Sequence, residues 1–168
     1  MPKIIENLPV RLMEEARRQV LQSGYGALTI RSVAGACGVG VGTVYNYYDS
    51  KDALVAAFLL EDWTQCVRAM EDCARTSDTA EPVLRVIHSQ LAAFTHRYQA
   101  IFRDEAAAAG FSGSFGRYHG LLRSQLAAPL RHFCPDDFTA EFVAEAMLVW
   151  TVSGKPFEEL RPLILKLL

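Results

Sequence analysis

The sequence predicts an all-α protein of about nine helices. Apolar residues recur at helical spacing along almost the whole chain, while the alternation and β-branched runs typical of strands are nearly absent. At 168 residues and 51% hydrophobic, the chain can bury one large core or two unequal ones. Its longest apolar run, residues 53–60, is far shorter than the ~20 residues of a membrane-spanning helix. Because the N-terminus also lacks a signal-peptide pattern, we expect a cytoplasmic protein without membrane contact.

The first three predicted helices are separated by turn residues. The first helix ends at residues 23–27 (SGYGA). The second begins at Thr29, a good N-cap, and closes at Gly38, which tolerates a left-handed backbone. The third covers about residues 40–47. The apolar stripe of the first helix is formed by Leu8, Leu12, Ala16 and Val20.

Ser50 is placed to cap a long fourth helix over residues 51–75, and Asp52 suits its first turn. The polar residues 76–82 form a predicted loop. Helical spacing then predicts five further helices, over residues 83–98, 101–109, 117–133, 139–153 and 157–168.

The charge is distributed unevenly along the chain. The net charge is −2, but residues 1–51 carry six basic and four acidic side chains, a net of +2, and the rest carries 11 basic and 15 acidic, a net of −4. An anionic partner is therefore expected at the N-terminal third.

Cysteine and histidine spacing predicts no catalytic or metal site. The four cysteines form no CxxC pair, and Cys66 and Cys73 would lie about 10 Å apart on one helix, too far to bridge. None of the four histidines stands in an HExxH or ExxH pattern, and the chain has no GxSxG. We expect no catalytic residues, no metal and no cofactor, so an α-helical hydrolase or a di-iron bundle is a weak alternative.

Residues 37–51, CGVGVGTVYNYYDSK, contain three alternating glycines. A dinucleotide-binding loop needs GxGxxG after a buried strand, and a Walker loop needs GK[ST]; neither is present. Two short helices joined by a tight glycine turn, over about residues 29–48, instead fit a helix-turn-helix whose second helix enters the major groove of DNA.

The stretch LTIRSVAGACGVGVGTVYNYYDSKDAL, residues 28–54, resembles the DNA-binding signature of the tetracycline-repressor-like (TetR) regulators. The resemblance covers about residues 4–60 and implies a helix-turn-helix DNA-binding domain there. Residues 61–168 resemble the family only in architecture, which implies an effector-binding and dimerisation domain. The implied function is that of a homodimeric repressor that binds a palindromic operator in double-stranded DNA and is released by a small molecule.

The resemblance also implies roles for single residues. Phosphate contacts are implied for Thr29, Thr43, Tyr47 and Lys51, and contacts to base edges for Val41, Gly42, Tyr45 and Asn46. Arg31 is a further candidate contact, on which binding would rely more because the family's cation is missing at position 41. These roles agree with physical chemistry, since phosphate contacts set register and base contacts read sequence. The structural alternatives are that Thr29 only caps its helix, that Lys51 is an ordinary solvated lysine, and that Asn46 meets water.

Gly40 and Val41 depart from the family pattern, which often has a serine followed by a cation at these positions. We therefore expect a weaker electrostatic contribution and a shallower salt dependence of DNA binding. A helical interaction or assembly module that keeps the helix-turn-helix as a scaffold, with weak DNA binding, stays as the alternative function.

The later helices carry two further groups of candidates. The aromatic and methionine residues that suit an effector pocket are Phe58, Trp63, Met70, Phe94, Tyr98, Phe102, Phe111, Phe115 and Tyr118. The last two helices are apolar on most sides, as a dimer interface requires. Its candidate contacts are Phe142, Ala146, Val149, Trp150 and Leu163. For both groups the alternative is an ordinary place in the core of the chain's own domain.

Overall fold

The computed structural model describes residues 7–105, 107 and 115–168, and these residues form eight α-helices and a short 3-10 helix, with no β-strand. The predicted all-α class is confirmed. The elements are α1 (Leu8–Ser23), α2 (Ile30–Cys37), α3 (Val41–Tyr45), α4 (Lys51–Thr76), α5 (Ala80–Phe102), α6 (Phe115–Ala127), the 3-10 helix (Ala128–Leu130), α7 (Asp137–Val152) and α8 (Phe157–Ile164).

The chain forms two compact units. The first contains the residues up to Asp62 and a second stretch that starts at Tyr98; the second contains Trp63–Arg97 and the C-terminal helices. The division predicted from the sequence, after residue 60, assigned no part of the later chain to the first domain. In the structure, the C-terminal end of α5 belongs to the first unit, and its Tyr98 is 1% exposed.

The core of the first unit draws one apolar face from each of its helices. α1 packs against α2, and α2 packs against α3. The side chains that these helices and α4 bury completely are Leu12, Ala16, Val33, Val44, Leu54, Val55 and Phe58. Because α1 buries residues at positions 12, 16 and 20, its predicted apolar stripe is the face that packs inward.

The second unit is a helical bundle built around one apolar cluster. α6 packs against α7, and α7 packs against α8. Buried side chains from α4, α5, α6, α7 and α8 meet there, among them Met70, Ile87, Leu126, Met147 and Phe157. Three of the four cysteines, at positions 66, 73 and 134, lie against this cluster, and the fourth, at position 37, is buried; all four are free thiols.

The largest differences from the predicted helix ends lie in α5, α6 and α8. α5 is continuous across residues 99–100, where the sequence analysis placed a break. α5 also begins at Ala80, inside the predicted loop over residues 76–82. The first two residues of the helix predicted over 101–109 belong to α5, and residues 105 and 107 are also helical. Residues 106 and 108–109 lie outside the described residues. Gln99 and Ala100 are good helix formers, so nothing local stops the helix. α6 ends at Ala127 instead of 133 because Pro129 favours the 3-10 turn that follows. α8 ends at Ile164 and contains Pro162.

None of the helices in the described parts of the chain is both long enough and apolar enough to cross a membrane.

Candidate nucleic-acid interface

Both ends of α2 are fixed by local hydrogen bonds. At its start, the Thr29 hydroxyl oxygen accepts the Ser32 backbone N–H at 3.0 Å, and the Ser32 hydroxyl oxygen accepts the Thr29 N–H at 3.3 Å, which is a reciprocal capping box. The predicted N-cap is therefore confirmed. The Thr29 hydroxyl keeps its own proton for another acceptor, whereas the Thr29 backbone N–H is already engaged in the free protein.

The turn after α2 uses Gly38 in the left-handed region, with φ of 71° and ψ of 31°. Its N–H donates to the Gly35 carbonyl at 3.2 Å, and the Val39 N–H donates to the Ala34 carbonyl at 3.0 Å. These two bonds form a Schellman motif. A residue with a Cβ at position 38 would be strained in this left-handed backbone conformation. The turn therefore sets the direction in which the chain enters α3.

α3 presents one side to the core and the opposite side to solvent. Val44 is fully buried, whereas Val41 and Tyr45 are 36% and 49% exposed. Gly42 lies on the open side, where a Cβ added to it would meet no heavy atom within 4 Å. The backbone at Gly42 is thus bare to solvent, as contact with base edges in a groove requires.

The remaining predicted contacts lie at the edges of α3. Thr43 is half-buried, and Asn46 and Tyr47 are exposed just after the helix. The N-cap of α3 is Gly40, which contributes no side-chain hydrogen bond. A Cβ at Gly40 would lie 3.9 Å from the Thr43 hydroxyl oxygen, an ordinary contact, so the missing cap is a property of the sequence and not of crowding.

Lys51, the first residue of α4, is held by Tyr25. Its ammonium nitrogen donates to the Tyr25 backbone carbonyl at 3.1 Å and lies 3.8 Å from the centre of the Tyr25 ring. The Tyr25 hydroxyl donates to the Asp52 carboxylate. Burial, together with the carboxylates of Asp52 and Asp104, raises the pKa of this hydroxyl, so Tyr25 stays a neutral hydrogen-bond donor.

Two other arginines of the first unit form ion pairs within it, and a third, among the predicted contacts, does not. Arg17 pairs with Glu61 and Asp62, and Arg18 pairs with Glu15. Arg31 is exposed and makes no ion pair with a described residue. Arg31, on α2, and Lys51, at the start of α4, are consequently the two cations among the predicted DNA contacts.

A buried polar cluster joins α1, α4 and α5 within the first unit. Asp62 is 7% exposed, and its carboxylate lies 3.0 Å from the Arg17 guanidinium. The same carboxylate accepts a hydrogen bond from the Tyr98 hydroxyl. The Arg17 guanidinium also lies 5.9 Å from the centre of the Phe58 ring. Phe58 and Tyr98, two of the predicted pocket residues, are thereby part of the packing of the first unit, with ring centroids 5.8 Å apart.

The remaining pocket candidates are divided among several environments. Trp63 and Phe94 contact each other in the second unit at a centroid distance of 5.4 Å, and the Trp63 indole donates to Gln125. Met70 is fully buried in the same unit, whereas Phe102 is half exposed. Phe111 and the side chains of Phe115 and Tyr118 lie outside the described residues. The pocket stays a prediction.

Most of the dimer candidates lie on an apolar surface of the second unit. Phe142, Val149, Trp150 and Leu163 are each about half exposed or more, and Ala146 is half-buried. Three further large apolar side chains are exposed nearby in the chain: Phe138 and Val152 on α7, and Leu167 after α8. These side chains are available for contact with another molecule, and the interface itself stays a prediction.

The sequence analysis missed Tyr25, Asp52 and Arg17 as residues that organise this region. Tyr25 was assigned to a turn, and Asp52 was assigned only to the start of α4. A large aromatic residue between two glycines is an unusual turn residue, and that is the one local signal that pointed to a packed tyrosine.

Comparison with known proteins supports the geometry of the first unit. Residues 12–58 match the family model of bacterial regulatory proteins, tetR family. The HTH-type transcriptional regulator UidR of Escherichia coli (strain K12) is 29% identical over 52 residues, which cover 31% of this chain and 26% of that relative. The match thus spans about a quarter of the length of the curated relative.

Solved structures extend the similarity in fold to most of the chain. The TetR family repressor AlkX from Dietzia sp. has 18% identity and a TM-score of 0.62, over 94% of this chain and 98% of that one. FadR from Bacillus subtilis, solved in complex with stearoyl-CoA, has 16% identity and a TM-score of 0.55, over 94% and 96%. Residues 12–58 thus match the DNA-binding model of the tetR family of bacterial regulatory proteins, and most of the chain shares the fold of these solved structures.

Proposed function

We propose that this chain is a sequence-specific DNA-binding transcriptional regulator, a homodimeric repressor that a small molecule releases from its operator. The observation that carries the proposal is the arrangement of α2 and α3. A capped α2, a Schellman turn at Gly38 and an α3 with Val41, Gly42 and Tyr45 exposed form a helix-turn-helix with its reading side open.

The proposed contacts follow from where these side chains lie. Thr29 and Tyr47 offer hydroxyl groups, and Arg31 and Lys51 offer positive charge, on the segments that precede and follow α3. Phosphate contacts of this kind orient a protein on DNA. Gly42, Tyr45 and Asn46 then meet base edges, where an amide pairs well with adenine and an aromatic ring packs on a thymine methyl group.

The homodimer is supported by the apolar surface of α7 and α8. An exposed run that includes Phe142, Val149, Trp150 and Leu163 is unfavourable in a monomer in water. A second copy of the chain, packed through the same two helices, would cover it symmetrically. The two helix-turn-helix units of the dimer would then match a palindromic operator whose half-sites are about one helical turn apart.

An effector is supported by relatives of the same fold. FadR from Bacillus subtilis was solved with stearoyl-CoA, and EbrR is described as a multidrug binding protein. For this chain the proposal is limited to a small molecule bound by the second unit. α4 and α5 contribute residues to both units, so a shift of either helix would reach the helix-turn-helix.

The deciding experiment is a titration of the purified protein against a DNA duplex that it selects from a randomised library. A shuffled duplex of the same composition serves as control, and affinity is measured at several salt concentrations. Lys51→Ala in both protomers should reduce the slope of log K against log[salt] by about 2. Arg68→Ala is the matched control, because it removes an exposed cation from the same helix but within the second unit.

Three outcomes decide between the functions. Sequence preference together with loss of binding in a Tyr47→Ala, Lys51→Ala variant supports the regulator. Equal binding to selected and shuffled DNA would refute it and favour the assembly module. A monomer at micromolar concentration, measured by light scattering, would refute the dimer and the palindromic operator. If the dimer is present, Trp150→Glu should dissociate it without unfolding the chain, because Trp150 is already exposed.

A further inference from the structure

Lys51 lies at the start of α4 and packs against Tyr25, a residue of the loop between α1 and α2. Two contacts hold its ammonium group: the Tyr25 carbonyl oxygen at 3.1 Å and the Tyr25 ring, whose centre is 3.8 Å from the nitrogen. A cation over an aromatic face is attracted by the ring's quadrupole, typically by about 0.5–1 kcal/mol at partly exposed sites. Both contacts come from the same residue, so the position of Tyr25 determines the position of the Lys51 charge.

Tyr25 is itself firmly placed. It is 4% exposed, and its hydroxyl donates to Asp52, the neighbour of Lys51 on α4. The loop around it is closed by a hydrogen bond of 3.2 Å from the Leu28 N–H to the Tyr25 carbonyl. The same carbonyl therefore accepts both the loop bond and the lysine, so the lysine is attached to a rigid part of the chain.

We propose that Tyr25 is a positioning residue for DNA binding, which holds the Lys51 ammonium group at the start of α4 so that it meets a DNA phosphate already ordered. This inference rests on the proposed DNA-binding function and adds a residue that does not itself touch DNA. An ammonium group has three N–H donors, and the carbonyl occupies one. A lysine side chain carries about 2 kcal/mol of rotamer entropy, and the part that Tyr25 already restricts is not lost again on binding.

The test separates positioning from stability by comparing two substitutions. Tyr25→Phe keeps the ring and the carbonyl but removes the hydroxyl bond to Asp52. Tyr25→Leu removes the ring as well. Both variants should unfold at lower denaturant concentration than the wild type. Only Tyr25→Leu should bind the selected DNA duplex more weakly, by about fivefold to thirtyfold for the dimer.

A double-mutant cycle identifies the partner. In a Lys51→Ala background, Tyr25→Leu should have no further effect on DNA affinity, because there is no charge left to position. In an Arg31→Ala background, the same substitution should keep its full effect. Additive effects of Tyr25→Leu and Lys51→Ala, or an equal loss in Tyr25→Phe, would overturn the proposal.

A measurement on the free protein distinguishes this proposal from the proposed function. The Lys51 side-chain protons next to the nitrogen lie near the Tyr25 ring, so their NMR signals should be shifted upfield in the wild type and in Tyr25→Phe but not in Tyr25→Leu. Wild-type protein without that shift would overturn the positioning role, whatever the DNA result. If the wild type shows the upfield shift but does not bind DNA, the proposed function is refuted, and the role of Tyr25 in DNA binding is refuted with it.

Discussion

A methyl group added at Gly42 should make the protein slightly more stable and a much poorer DNA binder. Gly42 lies inside α3, its φ is not in the left-handed region, and an added Cβ would have no heavy atom within 4 Å. Alanine is therefore accommodated without strain. Because α3 is only five residues long, we expect the lower end of the usual gain from glycine to alanine, about 0.5 kcal/mol in the free energy of unfolding.

The cost appears only in the complex. If the backbone at Gly42 approaches the base edges closely, the methyl group must displace either the base or the helix, and overpacking of this kind costs about 1–3 kcal/mol per contact. A dimer has two such contacts, so its affinity for the selected duplex should fall by at least about 30-fold. The loss should be smaller on the shuffled duplex, where phosphate contacts dominate.

Gly35→Ala is the matched control for this prediction. Gly35 is also an exposed helical glycine with no heavy atom within 4 Å of an added Cβ, but it lies in the last turn of α2. It should show the same small gain in urea denaturation and unchanged DNA affinity. If Gly42→Ala binds the selected duplex within twofold of the wild type, the open side of α3 is not the surface that reads DNA.

Three further predictions concern stability and caps. Asp62→Ala should lower the free energy of unfolding by about 2–4 kcal/mol in urea, since it leaves the buried Tyr98 hydroxyl and the partly buried Arg17 guanidinium without their shared carboxylate. Glu61→Ala, at a 41% exposed side chain, should cost under about 1 kcal/mol. Equal losses in the two variants would contradict this reasoning. Gly40→Ser should add a side-chain N-cap to α3 and raise the free energy of unfolding by a few tenths of a kcal/mol. DNA binding should become tighter, and weaker DNA binding would contradict this prediction. The Thr139 N–H lowers the pKa of Asp136, so this carboxylate stabilises the fold above its unfolded pKa, near 3.8, and loses that effect as the pH falls. Asp136→Ala should therefore flatten the acid limb of the melting temperature, and an unchanged acid limb would contradict this.

The parts of the site that were predictable from the sequence depend on neighbouring residues. Thr29 as a cap and Gly38 as a left-handed turn follow from side-chain chemistry acting over three or four positions. The fully buried Val33 and Val44 follow from helical periodicity in the same way. For these residues the local preference and the tertiary structure favour the same conformation, so a single sequence is sufficient.

The parts that were not predictable depend on contacts between distant segments. Lys51 meets Tyr25 across 26 positions of the chain, and Arg17 meets Asp62 across a still longer separation. Nothing in the residues around Lys51 distinguishes a lysine that points to solvent from one that packs on an aromatic ring. The continuous α5 is a different case, because the predicted break contained no glycine or proline and was not required by the local sequence.

The orientation of α3 also depends on residues that cannot touch DNA. An isolated helix shorter than about 12 residues is marginal in water, and α3 has five residues, a bare N-cap and a single buried side chain, Val44. After the helix, the Val44 carbonyl accepts the N–H groups of Tyr47 and Tyr48, each at 3.0 Å, and the Tyr48 hydroxyl donates to the Pro9 carbonyl of α1 at 3.0 Å. The Schellman turn at Gly38 and the anchor at Tyr48 thus fix the two ends of α3. A change at Tyr48 should therefore weaken base reading without altering the salt dependence, because it moves α3 but removes neither of the proposed cationic contacts, Arg31 and Lys51.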